Sequence, residues 1–249
     1  MRISKAATEK FNLSRRAVKE YIKAKKVYLN GTRVSSDVDI SNSDEIYIQI
    51  DTPEISFEIN EYLICAKEGI RFIDKPSFMH TERLRPEEPL TVEDIFPEIE
   101  LLSRLDYLAD GILAGVEKGV EVNYTEKTYL AAVYGELKGE VRMDNLIDAS
   151  KRKKVLVTEF SGRNYTIIKP LEQKEGKTLV EVTLNSAQRH QVRAYLSYIG
   201  FPIMGDPLYG GKPFERLMLH CKKYTVNKTS EYSNLTDNFL EYFKRSAKI

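Results

Sequence analysis

Ser103-Arg104-Leu105-Asp106-Tyr107-Leu108-Ala109-Asp110-Gly111-Ile112-Leu113 is the segment from which the rest of this chain can be read. It runs as a short apolar approach, an Arg and an Asp two residues apart, a Gly-broken turn and then an apolar strand. A strand bounded by a turn holds a side chain still at its mouth. An Asp fixed there beside a guanidinium is aimed, as a carboxylate nucleophile must be. The plainer alternative is an Asp that merely caps a turn, with Arg104 as its ion-pair partner, since Asp is a common turn residue. The segment alone leaves both open, and the remainder of the chain has to choose.

The 249 residues suffice for one large domain or two unequal ones, and 42% apolar with 30% charged content is ordinary for a globular protein. No run approaches the ~18 apolar residues of a membrane span. The opening MRISKAATEKFNLSRR is charged and lacks the apolar centre of a signal peptide, so a cytoplasmic location is expected. Cys65 and Cys221 show no C-x-x-C spacing and are expected to be small core residues, while His80, His190 and His220 are too scattered for a metal motif. No metal is expected.

The net charge of +1 hides a strong asymmetry. Residues 1–33 hold ten basic side chains against Glu9 and Glu20, which makes that arm +8 and the remainder −7. A positive end on a neutral chain is the footprint of a polyanion partner. Ser14 is a good N-cap for a helix over Arg15–Lys26, with Ala17, Val18, Tyr21 and Ile22 on one stripe and Arg16, Lys19, Lys23 and Lys26 opposite. Asn30-Gly31 between alternating apolar residues signals a hairpin, and Glu45–Ile50 alternates as a strand.

SRRAVKEYIKAKKVYLNGTRV followed by SSDVDISNSDEIYI resembles an S4 RNA-binding domain. The resemblance implies that Arg15, Arg16, Lys19, Lys23, Lys26 and Arg33 grip structured RNA through its phosphates. The structural alternative is a basic face that is simply solvated. Asp51-Thr52-Pro53-Glu54 breaks the pattern and suggests an S4-like α+β domain over 1–52 and a second domain over 53–249.

In the second domain, short strands are expected at Tyr62–Ala66 and Ile70–Ile73, then a polar loop over His80–Pro89 and a short helix from Thr91. An apolar strand over Lys127–Leu137 closes at Gly135, and Lys151–Lys154 forms a second basic cluster. Asn164–Leu171 and Lys177–Leu184 alternate around a polar turn, a helix spans Gln188–Ile199 with Gly200 at its end, and Leu217–Cys221 is buried-looking. Many strands and few helices argue for an α+β fold with a large mixed, mostly antiparallel sheet and flanking helices.

The order FIDKPSFMHTE, RLDYLADGIL, KTYLAAVYGEL, RHQVRAYLSYIGFPIMGDPLYGG and RLMLHC resembles the RluA-type pseudouridine synthases over about residues 60–225. That resemblance implies a pseudouridine synthase-like fold and isomerisation of uridine in rRNA or tRNA, in which the everted uracil leaves its ribose and rejoins through C5. It makes Asp106 the catalytic aspartate, Arg193 its partner, and Tyr129 the ring that stacks on the target base and a candidate relay for the C5 proton. Leu219 would wall the uracil pocket, and Arg104, Arg189, His190 and Gln191 would bind substrate. An isomerisation needs no group donor or redox partner, so no cofactor is expected. RNA is the expected partner, and a monomer the expected state.

The chain departs from the family pattern at Ser103, at Ala109-Asp110 in place of Thr-Ser, and at Gln188, with Arg189 following. Asp110 puts a negative charge where the pattern has a neutral hydroxyl, and if it stands close to Asp106 it opposes ionisation of the nucleophile. Two other readings stay open: an inactive RNA-binding or ribosome-assembly factor that retains the scaffold, and a glycoside hydrolase using Asp106 and Asp110.

Overall fold

The computed structural model describes residues 1–11, 13–23, 25–30, 32–41, 43–48, 62–83, 90–150, 154–185 and 187–244. The chain divides into two compact units, Met1–Ser56 and Phe57–Ile249. The break expected at Asp51–Glu54 lies outside the described residues, as do Lys151–Lys153 of the second basic cluster.

The first unit packs two helices, α1 (Ile3–Phe11) and α2 (Arg15–Lys23), with strands β1 (Val27–Leu29), β2 (Thr32–Val34) and β3 (Ile46–Ile48) in the order β2-β1-β3. Ile3, Ala6 and Ala7 of α1 and Val18 and Ile22 of α2 share a core with Val27, Ile46 and Ile48. The i, i+3, i+4 spacing of the α1 residues is the signal that the sequence reading passed over. Helix α2 ends at Lys23, earlier than the expected Lys26. Lys25 adopts φ +57, its N–H donates to the Ile22 carbonyl and that of Lys26 to Tyr21, a Schellman closure built without glycine. Asn30 at φ +48 begins the hairpin turn.

The second unit is a ten-stranded sheet. Its strands are β4 (Leu63–Lys67), β5 (Ile70–Lys75), β6 (Ile99–Leu101), β7 (Asp110–Glu117), β8 (Thr125–Tyr134), β9 (Val141–Asp148), β10 (Leu156–Lys174), β11 (Lys177–Leu184), β12 (Leu219–Val226) and β13 (Thr229–Tyr232). The order β4-β5-β7-β12-β8-β11-β10-β9 has β6 on β7 and β13 on β12. Every pairing is antiparallel except β7 with β12, so the sheet is mixed and mostly antiparallel, as expected. The central strands read as nearly continuous apolar runs because both faces are covered. Helices α3 (Val92–Ile95), α4 (Gln191–Tyr198) and α5 (Thr236–Lys244) flank it.

Several sequence expectations are corrected. Gly111 lies inside β7 instead of breaking a turn: at φ +113 it meets β12 so closely that a Cβ would stand 2.3 Å from the Cys221 carbonyl oxygen. The turn is Asp106–Ala109, where the Ala109 N–H donates to the Asp106 carbonyl at 3.0 Å. Helix α4 starts at Gln191, not Gln188, because His190 is left-handed at φ +56 and the Gln191 Oε1 accepts from the Gln188 N–H at 2.8 Å. Gly200 closes α4 at φ +86, with Phe201 N–H donating to the Leu196 carbonyl. The strand at Asn164 begins at Leu156 and carries bulges, and β9 and α5 carry no strong local signal. Cys221 is buried, whereas Cys65 on the edge strand β4 is only half-buried.

Candidate active site

Asp106 opens the turn that feeds β7, and two ties hold its approach. Thr81 Oγ1 donates to the Leu105 carbonyl at 3.0 Å and accepts from the Leu105 N–H at 3.1 Å. The fully buried Lys75 donates from Nζ to the carbonyls of Pro76, Met79 and Ala109 at 2.8, 3.0 and 2.6 Å. Burial pulls this ammonium down to about 7, although Asp110 and Asp106 favour its charge. The Lys75–Pro76 segment and the Asp106 turn are thus stitched into one support.

Arg193, in the first turn of α4 and buried, meets Asp106 across 87 residues of sequence: Nη1 donates to Asp106 Oδ2 at 2.6 Å. The guanidinium is already fixed from behind. Nε and Nη2 both donate to Asp206, each at 2.8 Å, and the ring of Tyr209 lies 5.1 Å from Cζ. Asp206 is itself sealed and accepts the N–H groups of Leu208 and Tyr209. Burial opposes the charge of both groups. Their mutual hydrogen bonds outweigh it, holding Asp206 below the usual carboxylate range and Arg193 above its usual value. Gly205, at φ +74, lets this turn press against β12's approach, where a Cβ would stand 1.9 Å from the Arg216 carbonyl oxygen.

His190 Nε2 stands 3.6 Å from Asp106 Oδ1, and its Nδ1 lies 3.1 Å from the Tyr209 hydroxyl, which accepts from the Val155 N–H. Burial lowers the His190 pKa, so the imidazole is mostly neutral near pH 7. The Asp106 side chain is 23% exposed and forms part of the wall of a cavity of about 690 Å³. Arg104, Tyr129, Arg189, His190, Gln191, Arg193 and Leu219 share that wall, so the cavity gathers every catalytic and substrate-binding candidate named from the sequence.

Their surroundings differ. Tyr129 lies buried on β8 opposite Cys221, and burial raises its pKa well above 10, so the phenol stays protonated. A neutral ring suits a stacking surface better than a base. Leu219 is buried at the start of β12. Arg104 is exposed and pairs with Glu82 at 3.3 Å, and Arg189 is half-buried and reaches the Ala149 carbonyl at 3.5 Å. Gln191 is committed inward, to the Gln188 N–H and to Thr166 Oγ1 at 2.9 Å, and shapes the wall.

Asp206, Tyr209 and Lys75 lie in motifs that carry the resemblance, but the sequence assigned them no role at the site. Gly205-Asp206-Pro207 was legible as a turn, but nothing local says that its carboxylate faces Arg193. Asp110 has partners of its own. It is buried beneath the turn with Arg216 on both oxygens at 2.8 and 2.6 Å and His220 Nδ1 at 3.1 Å. Its charge is compensated locally and it does not line the cavity. A glycosidase pair of facing carboxylates is therefore not formed by these two residues.

No protein-family model matches the chain. It is similar to an uncharacterized RNA pseudouridine synthase of Helicobacter pylori (strain J99), 27% identical over 231 residues and covering 86% of this chain and 89% of the relative. It is also similar to the ribosomal large subunit pseudouridine synthase C of Rickettsia bellii, 25% identical with 94% and 92% covered, and to the dual-specificity RNA pseudouridine synthase RluA of Vibrio cholerae, 27% identical with 64% and 74% covered. Among solved structures, human RNA pseudouridylate synthase domain containing 4 aligns with a TM-score of 0.55 at 15% identity, over 75% of this chain and 94% of that one. The fold is pseudouridine synthase-like. In sequence the chain resembles the RNA pseudouridine synthases, RluA-type among them, which are isomerases.

Proposed function

We propose that this chain, built on the scaffold of those isomerases, converts uridine to pseudouridine at specific positions in structured rRNA or tRNA. The observation that carries the reading is the Asp206–Arg193–Asp106 chain: a sealed carboxylate fixes a guanidinium through two of its nitrogens, and the third aims a second carboxylate into a cavity. In the reaction N1–C1′ breaks and C5–C1′ forms, while the C5 proton leaves and N1 gains one, so no redox partner or donor enters. Asp106 serves as the nucleophile, at ribose C1′ or at the pyrimidine ring. A base stacked in folded RNA has to be everted to reach it. Tyr129 gives that base a face and Leu219 a wall, and Arg104 and Arg189 stand at the cavity for phosphate or ribose.

The first unit is read as an S4-like RNA-binding module. Arg15, Arg16, Lys19 and Lys23 on α2 and Arg33 on β2 are exposed, although Lys23 pairs with Glu20 and Arg33 donates to the Tyr28 hydroxyl; Lys26 is half-buried. Such a face supports phosphate contacts. The protein is taken to act as a cytoplasmic monomer without cofactor or metal. Among the described residues no helix is long and apolar enough to cross a membrane.

The test is to map pseudouridines in total RNA from cells with and without the gene, and to complement with Asp106→Asn. Loss of defined pseudouridines that only the wild type restores is the expected outcome. Identical maps, or restoration by Asp106→Asn, would leave the chain as a non-catalytic RNA-binding or assembly factor.

A further inference from the structure

Phe78 lies beside the Asp106 turn and has no part in the chemistry proposed above. It adopts φ +65, a conformation that strains a bulky side chain and that glycine enters freely. Core burial does not explain the strain, because Phe78 is 40% exposed. The backbone is pinned there: the Phe78 N–H donates to the Tyr107 carbonyl at 2.7 Å, and Lys75 holds the carbonyls of Pro76 and Met79 on either side. The Phe78 ring stands edge-on to Tyr107, centroids 5.8 Å apart at 83°, and the His80 ring lies 4.5 Å from Tyr107 at 30°. Tyr107 and His80 line the cavity, and Tyr107 is the residue next to Asp106.

We propose that the exposed Phe78 ring, braced edge-on by Tyr107 with His80 laid against Tyr107 in turn, is a stacking surface for the unpaired nucleobase adjacent to the everted uridine. The proposal rests on the reading that the cavity receives a uridine from RNA. Everting one base exposes the faces of its neighbours to water. An aromatic surface replaces that lost stacking and tolerates any base, since every base has a π-face. Tyr107, which braces the ring, follows Asp106 in the chain and lines the same cavity, so a base on Phe78 lies beside the place of the reacting one. The strained Phe78 keeps a ring in solvent that a glycine at the same φ would not supply.

The probe is a hairpin RNA with an oligouridine loop containing one 2-aminopurine, titrated into the full chain. Wild type and Asp106→Asn are expected to quench the 2-aminopurine by stacking. Phe78→Gly, which relieves the backbone while removing the ring, is expected to abolish the quench and weaken binding roughly ten- to hundredfold. Phe78→Trp is expected to restore both. An undiminished quench in Phe78→Gly, no quench in the wild type, or rescue by Phe78→Leu equal to that by Trp would overturn the platform. Pseudouridine formation in RNA from cells lacking the gene, measured in parallel, separates the two ideas. Quenching without isomerisation retains the platform and removes the synthase reading; isomerisation without quenching does the reverse.

Discussion

Asp106 and Asp110 stand four residues apart, at either end of one turn, and each is held by an arginine, yet they are held for opposite ends. Asp106 takes a single guanidinium N–H and keeps its side chain 23% exposed toward a cavity. Asp110 receives Arg216 on both oxygens and His220 besides, with its side chain 4% exposed. One carboxylate is aimed and left available, and the other is neutralised in place and sealed. The difference teaches that an arginine–aspartate pair is a site only when some charge is left unspent by its surroundings. Arg193 can serve Asp106 because Asp206 already fixes its position.

The contrast breaks most sharply at Asp106. Asp106→Asn should cut uridine isomerisation by roughly 10⁴-fold or more while moving the unfolding free energy by less than about 1 kcal/mol, read from single-turnover assays and denaturant melts. An enzyme that stays active, or a variant that unfolds, would erase the distinction between an aimed and a structural carboxylate. Arg193→Ala should cost both turnover and about 3–5 kcal/mol of stability, because it strands the sealed Asp206 without a counter-charge. Near-normal melting would show that Asp206 is compensated elsewhere.

For Asp110 the readout is pH. Burial raises its pKa, but hydrogen bonds from His220 and Arg216 outweigh that and hold it at about 2 against an ordinary 3.8. A depressed carboxylate contributes stability that is present above 3.8 and lost as pH falls toward about 2, here about 2 kcal/mol. Asp110→Asn should flatten that acid limb in denaturant titrations between those pH values, and an unchanged slope would contradict the sealed pairing. The smallest effect is expected on α2. Replacing Arg16 and Lys19 by Ala should reduce the slope of log affinity for RNA against log salt by up to about 1.5, and no change would exclude that face from phosphate contact.

Much of this was legible in the sequence because it is local. The α2 stripe, the Asn30-Gly31 hairpin, the capping of α3 by Thr91 and the Gly200 stop each depend on residues within a turn of one another. The motif order also paired Asp106 with Arg193, through a resemblance and not through any local force. Gly111 misled for a physical reason: in a chain a glycine reads as a turn, whereas here it is demanded by the approach of Cys221 from β12.

The sequence by itself determined the small basic module, the strand-rich second unit and the identity of the two groups that meet at the cavity. Only the tertiary structure decided that Asp206 locks Arg193, that Asp110 is sealed by Arg216 and His220, and that Phe78 is held in strain beside the turn. Turn and helix preferences act over a few residues. Burial and charge compensation are set by strands and loops that converge from 13 to 110 positions away.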